Sequence, residues 1–285
     1  MKKLGMILCA LVLLTGCSLS YNTELSDGSD TLASTDSMTI TKQDLYLYIL
    51  ENYGADEVLD EALRTVADLE ITDEDEVAEL VEERQETYAS YADDLEDYAT
   101  SLGYEDADQF TELVIEPDVK QTLLIEKYID DNYDDLIEDY QACSLKVIIV
   151  EKESEALTII EDEPDADDFD ALIEDEYSDE GEDYGVVTKN TSLDDNLLDL
   201  LEDFMEIEEE GVYEEAILLS DDTYAAVYIY DCDKEENSDT YKDALESEDD
   251  VTDEAQIYYL KKYEFTVYEQ LLKEEIAEIN EDYFD

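Results

Sequence analysis

The side chains able to do chemistry are unevenly supplied in this chain. Histidine is absent from all 285 residues, while 87 Asp and Glu stand against 15 Lys and Arg, a formal net charge of −72. The commonest general base and metal ligand is therefore missing, and no Ser–His or Cys–His nucleophile can be assembled. What is left is carboxylates, 23 tyrosines and four cysteines, Cys9, Cys17, Cys143 and Cys232. Carboxylates can ligate calcium, and a dense run lies between Asp162 and Asp170. That run lacks the glycine and terminal glutamate that an EF-hand loop needs at fixed spacing, so it predicts diffuse, weak divalent-cation binding and no built metal site. No glycine-rich phosphate loop occurs and no cofactor is implied. Nucleic acid is excluded as a partner, because a polyanion is held by clustered Lys and Arg. The acid excess reads as adaptation to a salty or cation-rich surface, where screening relieves self-repulsion.

Lys2 and Lys3 precede an apolar run from Leu4 to Leu14 that is too short to span a bilayer, the pattern of a secretory signal. It ends in Leu14-Thr15-Gly16-Cys17, which resembles the lipobox of bacterial lipoproteins. The resemblance implies cleavage before Cys17, loss of residues 1–16, and acylation of the Cys17 thiol with palmitate-type chains. Several acyl chains on one residue make a stable anchor, so the expected location is the extracytoplasmic face of the cell membrane. Residues 17–37 are polar and without an apolar period, which predicts a flexible tether with a reach on the order of 25 Å.

The elements that must position any site are helical first. Thr41 with Asp44 predicts a helix start, with Leu45, Tyr48, Ile49 and Tyr53 on one face until Gly54 ends it. Val58, Leu59, Ala62, Leu63, Val66 and Leu69 give a second helix, and a long third runs from Thr72 to Leu102 with Gly103 closing it. Asp106 to Leu113 predicts a short helix, Pro117 a new start, Val119 to Tyr128 another helix, and Leu136 to Tyr140 a last piece. Tyr88, Tyr91 and Tyr98 offer apolar area with a polar tip, and packing between helices is favoured over a peptide-binding face. Val251 to Phe284 returns to helical spacing.

Between the helical stretches lie two β-branched and aromatic runs, Leu145 to Val150 and Thr223 to Tyr230, which predict buried strands of one sheet. Helices are expected around Ala156 to Ile160 and Phe169 to Tyr177, a turn-rich loop over 178–185, a short strand at Val186 to Thr188 and a helix from Leu193 to Met205. Gly211 and Val212 lead through Ala216 to Leu219 into the closing run.

That order is similar to a parvulin-type peptidyl-prolyl isomerase domain, carried by Ile148 to Val150 with Ala156, Phe169 with Tyr177 and Ser178, Asp183 with Gly185, Gly211, and Tyr224 to Ile229. Ile40 to Asp44, Tyr53 with Gly54, and Leu102 to Tyr104 resemble the accompanying chaperone segment, so the chain resembles a PrsA-type foldase lipoprotein. The resemblance implies an α+β fold. A SurA-like helical chaperone domain (38–141) would be made discontinuous by an inserted antiparallel sheet flanked by helices (142–233), with the C-terminal helix (234–285) returning to it. It implies unfolded exported polypeptides as partners.

The departures bear on the chemistry. Positions where parvulins carry histidine fall on Val147 and Ala225, and the family's loop Cys or Asp falls near Asp179 or Glu180, a possible residual acid without partners. Isomerisation needs only a pocket that favours the twisted imide against a barrier of about 18–20 kcal/mol, and Phe204 and Met205 are candidates to line one. Activity is expected to be weak or lost. The resemblance also makes the first and last strands antiparallel neighbours, which implies a disulfide between Cys143 and Cys232, stabilising by about 4–5 kcal/mol. Two alternatives stay open: an active isomerase with a rearranged pocket, and an acidic surface lipoprotein binding cations or wall polymer.

Overall fold

A β-hairpin opens the described chain, which in this computed structural model comprises residues 24–162, 164–178 and 181–284. Its strands are β1 (Thr31–Ser34) and β2 (Thr39–Thr41), followed by α1 (Lys42–Glu70), α2 (Glu74–Ala89), α3 (Leu95–Leu102) and α4 (Ala107–Phe110). One π-turn, Thr111–Ile115, joins α4 to α5 (Glu116–Tyr140). Then come β3 (Cys143–Val150), α6 (Glu153–Glu161), α7 (Ala166–Ala171), β4 (Gly181–Val187), α8 (Asp195–Leu198) and α9 (Leu201–Met205). There follow β5 (Gly211–Val212), β6 (Ile217–Leu218), β7 (Tyr224–Tyr230), α10 (Ser238–Glu246), α11 (Asp249–Lys262) and α12 (Gln270–Ile279), and the described chain closes on a 3-10 turn, Glu281–Phe284. The architecture is α+β, with an antiparallel sheet inserted between N-terminal and C-terminal helices. Two compact units divide inside α1 and α11: residues up to Val66 with those from Tyr259 onward, and Ala67–Tyr258.

Part of the acid excess has a structural use. Asp73, Asp94, Asp106, Asp165 and Asp194 each cap a helix, accepting hydrogen bonds from first-turn N–H groups of α2, α3, α4, α7 and α8. A carboxylate there satisfies orphan donors and complements the helix dipole.

In the first unit, Thr41 and Asp44 form a reciprocal capping box: the Thr41 N–H donates to Asp44 Oδ2 at 2.8 Å and the Asp44 N–H donates to Thr41 Oγ1 at 3.2 Å. The expected tether is corrected here, because residues 31–41 pair as a hairpin; Cys17 and residues 18–23 lie outside the described residues. Gly54 does not end the helix. It is buried inside α1, where a Cβ would lie 2.6 Å from Leu272 Cδ2 of α12, so the glycine serves close packing. The buried face of α1 is accordingly Tyr46, Leu50 and Val58 against Leu271 and Leu272. The Leu45, Tyr48, Ile49 and Tyr53 face is exposed. Gly54→Val is expected to lower stability by about 2 kcal/mol, since overpacking against Leu272 outweighs the propensity gain over glycine of under about 1 kcal/mol. Urea denaturation followed by circular dichroism measures it.

In the second unit, the long third helix is two helices. The chain breaks after Ala89, restarts on Asp94, and α3 closes on Gly103 at φ 101°. Tyr88, Tyr98, Tyr104 and Phe110 pack together, with Tyr88 and Tyr98 stacked 5.5 Å apart and Tyr104 and Phe110 tilted at 5.1 Å, and the exposed Tyr91 lies against their edge, 6.0 Å from Tyr98. The pieces expected at Val119 and at Leu136 are the two halves of α5, which meet at a kink where Asn132 leaves helical geometry (φ −125°, ψ 17°). Towards its C-terminus α5 packs Ile129, Leu136, Ile137 and Tyr140 against Tyr241, Leu245 and Val251.

The sheet order is β4-β3-β7-β5, with β6 also on β7, and every pairing is antiparallel. Most of the expected 178–185 loop is strand: β4 pairs with β3, with a register shift between Leu145 and Lys146. Helices cover both faces. On one, Leu197, Leu201 and Phe204 of α8 and α9 pack on Leu145, Val147, Ala225 and Val227. On the other, Ala156, Ile159 and Phe169 of α6 and α7 pack on Ile148, Val150, Ala226 and Tyr228.

Candidate functional site

Alternation along β3 and β7 decides what the expected site contains. Val147 pairs with Val227, and Ile149 with Ala225, so Val147 and Ala225 are diagonal neighbours on one face. Phe204 joins them, and all three are at most 1% exposed. Leu197, Leu201, Ile217 and Leu219 complete a dry apolar layer over the strands. The structure thus brings Val147, Ala225 and Phe204 together. Met205 sits half-buried at the margin, packed against this layer and the α5–α10 core. Asp179 and Glu180 lie outside the described residues. Among the buried residues of this layer the Cys143 thiol is the sole ionisable group, and the partly buried Tyr184 and Tyr213 pack against its margin.

The disulfide implied between Cys143 and Cys232 is not formed; both are free thiols. The register explains it. Ser144 pairs with Tyr230, which leaves Cys232 one residue out of line with Cys143, and Asp231 between them takes a left-handed φ of 50°. Burial pushes the Cys143 thiol up to about 12 and raises Cys232 as well. Since the thiolate is the nucleophile, iodoacetamide at pH 8 is expected to label Cys232 slowly and Cys143 not at all until denaturant is added, as read by peptide mass spectrometry.

The polar feature that sequence reasoning passed over lies on the opposite face. Lys146 is buried, forms an ion pair with Asp170, lies 3.7 Å from Asp183, and sits 5.0 Å from the Tyr230 ring centroid. The Tyr230 hydroxyl donates to Asp183 at 2.7 Å, and burial, then that hydrogen bond, raises its pKa. The signal was a lysine inside the apolar run Leu145–Val150. This cluster ties β3, β4, β7 and α7 together.

Elsewhere several accessible grooves are acidic, while one near the C-terminus is lined by Lys261, Lys273, Phe265 and Phe284. An acidic groove of about 480 Å³ is lined by Asp130, Asp131, Asp134, Asp135, Glu235 and Lys242, with Lys242 paired to Asp130 at 2.6 Å. Among the described residues no group of three acidic or thiol side chains is placed to hold a metal ion.

No protein-family model and no curated protein matches the chain. Among solved structures it is similar to the peptidylprolyl isomerase PrsA of Bacillus cereus, at 20% identity over 89% of this chain and 99% of that one, with a TM-score of 0.49. It is also similar to the foldase protein PrsA of Streptococcus pneumoniae, at 15% identity over 87% and 98% with a TM-score of 0.39. PrsA of Bacillus subtilis matches at 19% identity over 82% and 93% with a TM-score of 0.37.

Proposed function

We propose that this chain is a membrane-anchored, extracytoplasmic foldase or holdase for unfolded exported polypeptides, in which the sheet unit is a scaffold and the isomerase step is weak or lost. The filled layer carries this reading: Val147, Ala225 and Phe204 are closed off from solvent where the parvulin resemblance expects a prolyl pocket. Catalysis requires differential binding of the twisted imide, and a side-chain-filled layer binds neither form. Support for the chaperone half comes from the order in which the PrsA-type segments follow one another along the chain. Among the described residues no helix is long and apolar enough to cross a membrane; the proposed anchor is acylated Cys17. The test is aggregation of a denatured exported protein, followed by light scattering. The chain at parity with the client is expected to suppress it, and unchanged scattering would overturn the reading.

A further inference from the structure

The surface of the first unit is apolar where a solvent-facing segment has no need to be. Leu32 and Met38 on the hairpin, and Leu45, Tyr48, Ile49 and Tyr53 on α1, are each 46–57% exposed. The other side of α1 is occupied by α12, and every hairpin strand residue except Thr41 is exposed. A two-stranded hairpin is marginal by itself, and clustered exposed apolar side chains mark an interaction surface.

Charge decides what fits there. Residues 24–66 contain ten acids and two cations, and both cations are paired within the segment. Lys42 lies 2.5 Å from Asp27 and 3.4 Å from Asp30, and Arg64 lies 2.9 Å from Asp60. On α12, burial and the nearby Glu51, Glu278 and Asp56 raise the pKa of Glu275, so carboxylates crowd one another next to this helix. Such a field repels an anionic lipid surface and a second copy of the same face. It complements a segment that is apolar on one side and cationic on the other.

We propose that the β1–β2 hairpin and the outward face of α1 form a docking surface for cationic amphipathic polypeptide segments, apolar stretches flanked by Lys or Arg. This assigns a client class to the chaperone reading and rests on it for its biological sense.

The full chain is titrated, by fluorescence anisotropy, against a labelled amphipathic Leu/Lys peptide and its Leu/Glu and Leu/Gln counterparts. The Lys peptide is expected to bind, more weakly as salt rises, and the Glu peptide not to bind. Leu45→Gln/Ile49→Gln is expected to lose about tenfold in affinity or more, as is Tyr48→Gln/Tyr53→Gln, which provides a second variant should the first fold poorly. Tyr91→Gln, in the other unit, is expected to bind as the parent does. Equal binding of the Lys peptide by parent and both variants would overturn the surface, and equal binding of the Gln peptide would overturn its charge preference. A parent that sediments as a dimer, with monomeric variants, would make a second copy the occupant. Flotation with neutral phosphatidylcholine vesicles that the substitutions abolish would make it a bilayer. Peptide binding without suppression of client aggregation would remove the chaperone reading and leave the surface; suppression unchanged by both variants would do the reverse.

Discussion

A chain carrying Val147→His and Ala225→His is expected to be less stable than the parent by about 4 kcal/mol or more, and to gain no isomerase activity. Both positions are closed to solvent beneath Leu201 and Phe204. An imidazole at Ala225 overpacks a finished layer, at about 1–3 kcal/mol. Each new ring also brings nitrogens into a layer whose other buried residues are apolar apart from Cys143, at about 1–3 kcal/mol for each group left unsatisfied. The two sites are neighbours, so the effects will not add simply. The pH dependence has a definite sign. Burial lowers the pKa of an unpartnered imidazole in the folded state below its unfolded value of about 6.5. The unfolded state then binds more protons, so the deficit relative to the parent deepens as pH falls through about 6.5. The parent has no histidine, which makes the difference readable by urea denaturation at several pH values. A double variant as stable as the parent would mean that the layer is looser than described.

Lys146→Ala is expected to destabilise the sheet unit by about 3 kcal/mol, and Lys146→Met by about 1 kcal/mol. The lysine side chain is 8% exposed, whereas Asp170 and Asp183 are 47% and 48% exposed. Breaking a fully buried pair costs about 3–5 kcal/mol because a stranded charge stays dry. Here the stranded carboxylates can turn to water, so the electrostatic loss is discounted to the scale of a surface pair, under about 1 kcal/mol. Most of the alanine deficit is then the lost aliphatic stem, which methionine restores. Equal losses in the two variants would put the ion pair in charge. The measurement is the shift in urea midpoint at constant slope.

How far the sequence could be read follows from how strongly each element depends on its own residues. β3 and β7 were legible because Val147–Val150 and Ala225–Ile229 are apolar on both faces, the mark of a strand covered on two sides. β4 was not. Its Gly-Glu-Asp-Tyr-Gly stretch has turn composition, and an edge strand with a register shift tolerates glycine and charge that a central strand does not. On α1, Leu45, Tyr48 and Ile49 have the same period whether they face a core or a partner, and the packing of Leu50 and Gly54 against Leu272 shows which side is packed. The glycine itself was ambiguous, since helix ends and close helix contacts both call for it. At the candidate site the absence of histidine was plain from composition. That Val147, Ala225 and Phe204 would close into one dry layer needed the β3–β7 register. The thiols show the opposite limit, because a one-residue offset separates neighbours from a bonded pair and no spacing rule resolves it.

The most direct test of a scaffold without turnover is the cis–trans exchange rate of a proline-containing peptide, measured by NMR exchange spectroscopy with the chain at stoichiometric concentration. The filled layer predicts an exchange rate equal to that of the peptide alone, with time constants of about 10–100 s. Acceleration of a hundredfold or more, abolished by substitution at Phe204 or Met205, would contradict it and place a working prolyl pocket where Val147 and Ala225 now stand closed.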